Sequence, residues 1–531
     1  MSNVAPCKRP NFLFFITDQQ RADHLGCYGN SAIRTPNIDA LAARGFVADE
    51  FHVATPICMP NRASLMTGRM PSRHGVRHNG IELSLDQRTL AQTLMEAGYA
   101  TSHVGKSHLQ NIEIKPAQVP REGSPKRSQE ARGDDGGRHG QEVWKRWEDD
   151  PTCDIETPFY GFQTVDLCIH HADDEFGHWR RWIRQQLPDA DRLIGPANAI
   201  PTPEYELSKV RQTWRTRVPE ECYPTAWIAD RTIARMREHR ASGKPFFMHA
   251  SFPDPHHPFT PPGKYWDMVR PEDVEAPASF HAPHRNPAPH LRWLYDRRAD
   301  GTAVKNTQAL FACSEREARE AIALNYGSVA FIDHSIGRVL AELRVLGLEK
   351  NTIVVFTADH ADFMGDHQLM LKGPLHYRGL TRVPFVWADP THTKVQRSKA
   401  LLQTIDIAPS ILERAGIEPW NGIQGHSLVG IANGQADRVR ETLMIEEEGQ
   451  RYYMGFPDRI RMRSLLDGRH RLSIYDGVPF GELYDLHNDP HEVDNLWDEA
   501  SARLLRAEMT EKLARTMIDV AETSPYPTRI A

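Results

Sequence analysis

Short apolar runs alternate with segments of helical pattern through most of the chain, and this alternation restricts the fold more than any other feature. Four runs have the length and composition of buried strands: NFLFFIT (11–17), PFFMHASF (245–252), NTIVVFTA (351–358) and VPFVWAD (383–389). GYATSHVG (98–105) is a weaker candidate. Runs that are apolar throughout are typical of parallel strands that are covered on both faces of a sheet.

Helical patterns lie between these runs. TPNIDALAARG (35–45) begins with Thr-Pro and ends in Gly, and TLAQTLMEAG (89–98) also begins with Thr and ends in Gly. SVAFIDHSIGRVLAELRVLG (328–347) carries apolar residues at helical spacing. Strands that alternate with helices predict an α/β fold, with a doubly wound and mainly parallel sheet flanked by helices.

The pattern changes after about residue 436 of the 531 residues. Short strand-like pieces with turn signals, such as HRLSIYDG (470–477), precede a helical segment at 500–519. We therefore predict a large α/β domain over 1–435 and a smaller C-terminal α+β domain over 436–531.

Residues 111–225 do not continue the strand–helix alternation, and we interpret them as insertions in the large domain. REGSPKRSQEARGDDGGRHG (121–140) is polar and Gly-rich, which predicts a surface segment. We predict that 171–222 forms a lid or a contact between subunits. Trp179 and Trp182 belong either to such a contact or to the core.

The bulk composition excludes several classes of protein. A net charge of −6 gives no sign of the basic face that is typical of nucleic-acid-binding proteins. The apolar run after Lys8 and Arg9 spans about six residues, too few for a signal peptide, and no run approaches the ~20 residues that cross a bilayer. The seven cysteines lack the spacing of a secreted disulfide scaffold. We expect a cytoplasmic protein that binds neither nucleic acid nor membrane.

Polar residues follow the strand-like runs at the points where they end. They are Asp18 and Gln19, Asp254 with His256 and His257, Asp359 and His360, and Lys106 with His108. In doubly wound sheets the ligand lies beyond the carboxyl ends of the strands. Taken singly, each residue has an ordinary structural explanation, such as a helix cap for Asp18. Together they predict a site at one edge of the sheet.

Three of these residues suggest a metal ion. A buried set of Asp18, Asp359 and His360 would be costly without a cation. Carboxylate oxygens with one imidazole suit a hard divalent ion such as calcium, magnesium or manganese. Zinc is disfavoured, because neither a histidine pair nor a Cys-x-x-Cys motif accompanies the set.

The stretch TPICMPNRASLMTGR (55–69) places Cys58 just before a predicted helix start. A helix N-terminus and the charge of Arg62 would both lower the pKa of a catalytic thiol. The alternative is a small buried cysteine beside a proline-bounded turn. On these residues alone the two interpretations are equally supported.

The same stretch resembles the sulfatase signature, C-x-P-x-R followed by a small-residue helix and T-G-R. Other segments resemble the family's motifs in the same order: TDQQRADHLGCYGN (17–30), HVGKSHL (103–109), SFPDPHHPF (251–259), TADHADFMGDHQLMLKG (357–373) and ELYDLHNDPHEVDNL (482–496). The resemblance runs from about residue 10 to 500 and leaves 111–225 uncovered. It implies the alkaline-phosphatase-like fold.

The resemblance also implies a cofactor and a modification. Cys58 would be converted to formylglycine by a formylglycine-generating enzyme, which reads Cys58, Pro60 and Arg62. One divalent ion, calcium or manganese, would be held by Asp18, Gln19, residue 58, Asp359 and His360. Gln19 and His360 replace the Asp and Asn of many arylsulfatases, and this variant occurs in phosphonate monoester hydrolases.

Roles for the remaining residues follow from the same resemblance. A hydroxyl of the hydrated aldehyde would attack sulfur, while Lys106 and Lys372 offset the developing charge. His256 would protonate the leaving group, alone or with Lys372, and His257 would do so if the motif is shifted by one. His108 would take the proton of the covalent intermediate.

Two further residues have less direct roles. Arg62 would orient the modified side chain. Asn79 matches a family position near the substrate, and its alternative is a turn residue before Gly80.

The expected activity is hydrolysis of aryl or small alkyl sulfate monoesters. The alternative within hydrolases is a phosphonate monoester or phosphodiester hydrolase. Lys106 and His108 favour the first, whereas Gln19 and His360 favour the second. An inactive binding protein and a thiol enzyme with unmodified Cys58 are the remaining alternatives. We also expect a homo-oligomer, either a dimer or a tetramer.

Overall fold

The computed structural model describes residues 9–116, 138–392 and 396–530. The strands of these residues are, in chain order, β1 (Asn11–Thr17), β2 (Phe46–Ala48), β3 (Phe51–His52), β4 (Ala100–Lys106), β5 (Thr164–Ile169), β6 (Phe176–Gly177), β7 (Phe246–Phe252), β8 (Phe311–Ala312), β9 (Thr352–Ala358), β10 (Leu369–Met370), β11 (Phe385–Ala388), β12 (Gln396–Ser398), β13 (Leu402–Gln403), β14 (Leu443–Glu448), β15 (Arg461–Leu466), β16 (His470–Tyr475) and β17 (Gly481–Asp485).

The α-helices of the same residues are α1 (Pro36–Ala42), α2 (Cys58–Thr67), α3 (Pro71–His74), α4 (Leu90–Glu96), α5 (Trp144–Asp149), α6 (His178–Gln186), α7 (Glu206–Lys209), α8 (Pro224–Ser242), α9 (Ala278–His281), α10 (Pro289–Ala299), α11 (Glu315–Val345), α12 (Arg378–Thr381), α13 (Ile407–Ala415), α14 (Val429–Ala432) and α15 (Arg503–Asp519). The helical pattern at 328–347 is therefore the second half of α11, which begins at a Ser314 capping box.

The central sheet has nine strands in the order β12-β2-β11-β9-β1-β7-β4-β5-β6. The five strands from β9 to β5 are parallel, which confirms the predicted mainly parallel sheet. The prediction that 383–389 is a parallel strand is wrong, because β11 pairs with β9 antiparallel. An apolar run does not encode the direction of its strand. Parallel pairing of neighbouring strands needs a long crossover connection, usually a helix, and the segment between β9 and β11 contains no long helix.

Helices cover both faces of this sheet. In β1 the side chains alternate, so that Leu13 and Phe15 enter one core while Phe12, Phe14 and Ile16 enter the other. The first core contains residues of α1, α6, α8 and α11, and the second contains residues of α2, α4 and α13. The fold is therefore doubly wound, as predicted.

Part of the segment that we interpreted as an insertion belongs to the central sheet. β5 pairs with β4 in parallel, and β6 closes that edge. Trp179 of α6 is fully buried and donates a hydrogen bond to the Cys222 carbonyl at 3.0 Å, so it belongs to the core. The predicted surface segment 121–140 lies outside the described residues except for its last three positions.

The smaller C-terminal domain has a separate antiparallel sheet of β14, β15, β16 and β17. Met509 and Leu513 of α15 pack against this sheet, and the α+β prediction for this region is confirmed. The sheet joins the large domain through Gln403, whose side-chain amide donates to the Met444 carbonyl at 2.6 Å. Across the described ranges, no helix combines the length and apolar character that crossing a bilayer requires.

Candidate active site

Three parallel strands end level with one another at one edge of the sheet. Thr17, the last residue of β1, pairs with both Phe252 and Ala358, the last residues of β7 and β9. The backbone amide of Asp18 donates to the Asp254 carbonyl at 3.2 Å, and that of Asp359 to the Thr17 carbonyl at 3.0 Å. The polar residues that follow each strand therefore meet at this edge.

Cys58 is the first residue of α2, a helix whose residues are all buried. Its Sγ lies 3.0 Å from His360 Nε2, 3.3 Å from Lys372 Nζ and 4.0 Å from Asp18 Oδ1. Burial opposes ionisation of the thiol, but Lys372 and His360 outweigh burial and Asp18, so the pKa of Cys58 is lowered. The structure thus puts residue 58 at the centre of the cluster.

The donor atoms of Asp18, Cys58, Asp359 and His360 all lie within 4.8 Å of one another. Each carboxylate uses Oδ2 for a cation of the protein, because Asp18 Oδ2 accepts from Lys106 and Asp359 Oδ2 accepts from Arg62 at 2.8 Å. The Oδ1 atoms face His360 Nε2 at 3.4 and 3.6 Å. Asp359 Oδ1 also accepts a hydrogen bond from the Gln19 backbone amide at 3.1 Å. Two carboxylate oxygens and one imidazole nitrogen that converge on a common point fit a divalent metal ion.

Gln19 lies beside this group but has protein partners of its own. Its Oε1 accepts a hydrogen bond from Lys372 Nζ at 2.8 Å, and its Nε2 lies 3.0 Å from His257 Nδ1. Nε2 also donates to Asp362 Oδ2. Asp362 is a fully buried carboxylate that sequence reasoning missed, and burial raises its pKa to about 6.

A second group of potential ligands, Asp18, His171 and His256, shares one carboxylate with the first. The ammonium of Lys106 already lies among them, because Nζ donates to Asp18 Oδ2 and is 2.6 Å from His171 Nε2. The rings of His171 and His256 stack with their centroids 3.7 Å apart. Here a lysine supplies the cation that the carboxylate requires.

Sequence reasoning missed His171, because it lies within the segment interpreted as an insertion. Its only sequence signal is its position two residues after the end of β5, a strand that the apolar pattern did not reveal. Once β5 is placed beside β4, His171 follows a strand end as the other site residues do.

Lys372 is the second lysine of the site. Its Nζ contacts Gln19, Cys58, His256 Nε2 at 2.9 Å and His360 Nε2 at 3.1 Å. Lys106 and Lys372 thus place two ammonium groups around residue 58 and the two stacked imidazoles. Such a pair is suited to bind a small anion and to stabilise charge on its oxygens.

The three predicted acid–base histidines differ in their surroundings. His256 bonds to Lys372, whereas His257 Nε2 faces Gln308 Oε1 at 2.7 Å and burial lowers its pKa to about 3. His108 Nδ1 has no hydrogen-bond partner among the described residues. Burial and the neighbouring Lys106 hold the pKa of His108 well below its ordinary value, which keeps its imidazole neutral.

Arg62 and Asn79 both hold parts of the site in place through hydrogen bonds. Arg62 donates to the Lys106 carbonyl and to Ser251 Oγ, both at 2.9 Å, in addition to Asp359. Arg62 therefore links the ends of β4, β7 and β9 and holds the carboxylates of Asp18 and Asp359. Asn79 Oδ1 accepts from the backbone amide of Met59 at 3.1 Å, which satisfies a free donor in the first turn of α2.

Comparison with known proteins shows the family to which this chain belongs. The model of the Sulfatase family matches residues 10–417, and that of the N-sulphoglucosamine sulphohydrolase C-terminal family matches 365–519. An arylsulfatase of Clostridium perfringens is 28% identical over 92% of this chain and 90% of its own. A multifunctional alkaline phosphatase superfamily protein of Trinickia caryophylli is 27% identical, over 94% and 93% of the two chains.

Among solved structures, the phosphonate monoester hydrolase of Agrobacterium radiobacter superposes with a TM-score of 0.76. It is 25% identical and covers 98% of both chains. The similarity includes the β5 region that the sequence motifs left uncovered.

Proposed function

Since this chain belongs to the sulfatase family and is a hydrolase of that kind, we propose that it cleaves sulfate monoesters of aryl or small alkyl alcohols. The nucleophile is a formylglycine made from Cys58 by a formylglycine-generating enzyme. The observation that carries the proposal is the position of Cys58 in C-x-P-x-R, with Sγ 3.3 Å from Lys372 Nζ and 3.0 Å from His360 Nε2.

Asp18, residue 58, Asp359 and His360 would hold one divalent ion, calcium or manganese, with Gln19 as a fifth candidate ligand. When bound, the ion lowers the pKa of a hydroxyl of the hydrated aldehyde. Arg62 keeps Asp18 and Asp359 in place by hydrogen bonds to both carboxylates.

In the first step, one hydroxyl of the hydrated residue 58 attacks sulfur, and the S–O bond to the alcohol breaks. Lys106 and Lys372 stabilise the negative charge that spreads over the sulfuryl oxygens. The departing oxygen takes a proton from the His256–Lys372 pair, whose nitrogens lie 2.9 Å apart. Asn79 lies beside this site and contacts the substrate.

In the second step, the remaining hydroxyl of residue 58 loses its proton to His108. The C–O bond to the sulfate group breaks, sulfate leaves, and the aldehyde re-forms and is hydrated by water. The support for His108 is its neutral imidazole and its free Nδ1. The diol makes this route possible, because no water has to attack the crowded sulfur.

A second candidate activity is hydrolysis of phosphonate monoesters or phosphodiesters. It is favoured by Gln19 and His360 and by the similarity to a phosphonate monoester hydrolase over 98% of the chain. Lys106, which neutralises Asp18 and faces His171, favours the sulfate ester.

Relative kcat/KM for 4-nitrophenyl sulfate and 4-nitrophenyl phenylphosphonate decides between the two activities. We expect the sulfate to be preferred. A preference of about a thousandfold for the phosphonate, equivalent to about 4 kcal/mol in transition-state binding, would reverse the assignment. Lys106→Met is the diagnostic variant, because it should lower turnover of the sulfate more than that of the phosphonate.

Three further properties belong to the same proposal. We place the boundary between the two domains at residues 435 and 436, the protein in the cytoplasm, and the active form as a homo-oligomer. Size-exclusion chromatography with light scattering tests the last of these, and a monomeric active protein would refute it.

A further inference from the structure

A loop of the C-terminal domain, residues 450–453, lies beside the Cys58 site. The side-chain amide of Gln450 donates to the Asn79 carbonyl at 2.8 Å, in the orientation that satisfies both its oxygen and its nitrogen. At the other end of the loop, the Tyr453 hydroxyl lies against Gly373. A Cβ atom added at Gly373 would be 3.0 Å from the hydroxyl oxygen of Tyr453. Asn79 contacts the residue after Cys58, and Gly373 follows Lys372. The loop therefore joins the two segments that flank residue 58.

This side of the site is open to solvent. Tyr452, in the middle of the loop, is 57% exposed, and Asn79 is only half-buried. The alcohol portion of a substrate whose sulfuryl group lies between Lys106 and Lys372 would extend toward this opening.

Arg451 is the charged residue of the loop, and within the described part of the chain it has no partner of opposite charge. The residue is half-buried, and its guanidinium donates to Gln450 Oε1 at 3.2 Å. Among the described residues, no carboxylate oxygen lies within 4.0 Å of it, and burial lowers its pKa. Partial removal of this charge from water costs free energy, which a bound anion would offset.

The nearby carboxylates are already engaged with other groups. Glu447 Oε2 lies 3.0 Å from His376 Nε2, and Glu448 Oε2 accepts from Arg77 at 3.1 Å. The planar donors of Arg451 are thus left for an anion, and a guanidinium pairs best with a carboxylate or a sulfate in two-point contact.

We infer that Arg451 binds a second anionic group on the alcohol portion of the substrate, a carboxylate or a further sulfate. The inference rests on the proposed function and specifies its substrate class, since it disfavours esters whose alcohol carries a cation. Gln450 positions the guanidinium by linking it to Asn79.

The test uses two esters that differ only in charge, 3-carboxyphenyl sulfate and its neutral carboxamide analogue. We expect wild-type kcat/KM to favour the carboxylate by about 10-fold to 100-fold, the range of a charge-assisted hydrogen bond. Arg451→Gln should bring the ratio close to one, and Arg451→Lys should retain part of it. Arg459→Gln, an exposed arginine near the same loop, is the matched control and should keep the full ratio.

Calorimetric binding of both uncleaved esters to the Cys58→Ala variant, with and without Arg451→Gln, tests the inference without turnover. Equal affinity for the two esters, or a preference that survives Arg451→Gln, would overturn it. If wild-type enzyme cleaves neither ester, the proposed function fails, while the calorimetric comparison still decides the role of Arg451. Thermal melts of each variant separate a lost contact from a lost fold.

Discussion

Lys372 Nζ lies 3.3 Å from Cys58 Sγ, inside a cluster that also contains His360 and Asp18. The lysine thus faces the Cys58 thiol directly, and it is joined to Gln19 and His256 by hydrogen bonds that fix its position. The charge of Lys372 therefore acts directly on the Cys58 thiol.

Lys372→Met should slow alkylation of the unmodified Cys58 thiol by iodoacetamide about tenfold at pH 7, because loss of the opposite charge raises the thiol pKa. The measurement uses protein made without the formylglycine-generating enzyme. Lys372→Arg is the matched control and should keep most of the rate. An unchanged rate in Lys372→Met would show that the lysine does not act on residue 58.

Cys58→Ala should abolish turnover of sulfate esters and leave the melting temperature nearly unchanged. Mass spectrometry of the peptide that contains residue 58 should show the aldehyde in active wild-type protein. Pro60→Ala and Arg62→Ala, which alter the C-x-P-x-R motif, should leave this peptide as a thiol. If fully active protein carries only an alkylatable thiol, the formylglycine proposal is wrong.

Removal of divalent ions with a chelator should abolish activity and lower the melting temperature. Binding to the folded state alone stabilises it by about 2.7 kcal/mol at a ligand concentration 100 times Kd. Calcium and manganese should be added back separately, and the ion that restores both properties is the cofactor. Asp359→Asn should weaken the thermal effect, whereas Asp191→Asn, an exposed aspartate, should not.

Glu142 provides a prediction about pH. It is 1% exposed and accepts a hydrogen bond from the Leu109 amide at 3.3 Å, so it holds the loop that carries His108. Burial raises its pKa from 4.5 to about 7. The folded state then binds a proton more tightly than the unfolded state, so this group's contribution to stability falls as pH rises from 4.5 to 7.

The size of this loss is on the order of 2–3 kcal/mol. Glu142→Gln cannot ionise, and the variant should lack the loss. Urea unfolding at several pH values, for wild type and variant, measures the difference in slope between them. Parallel stability curves for the two proteins would contradict the assignment.

Much of the site could be predicted from the sequence because its residues follow apolar strands directly. Asp18, Asp359 and Lys106 stand at strand ends, and parallel strands bring their carboxyl ends to one edge whatever the details of packing. The C-x-P-x-R motif pointed to residue 58 as a site residue without any knowledge of the fold, because the motif consists of neighbouring residues. The two-domain organisation was also visible, as a change in pattern after about residue 436.

What the sequence by itself determined is the family, the mainly parallel sheet and the polar residues at its edge, because each depends on a local pattern of side chains. Only the tertiary structure decided the direction of β11, the place of β5, and the contacts of His171, Asp362 and Arg451. Strand direction depends on how a connection crosses the sheet. His171 meets Lys106 and Asp362 meets Gln19 across long stretches of chain, and Arg451 lies beside the site because Gln450 bonds to Asn79. Such contacts exist only after packing.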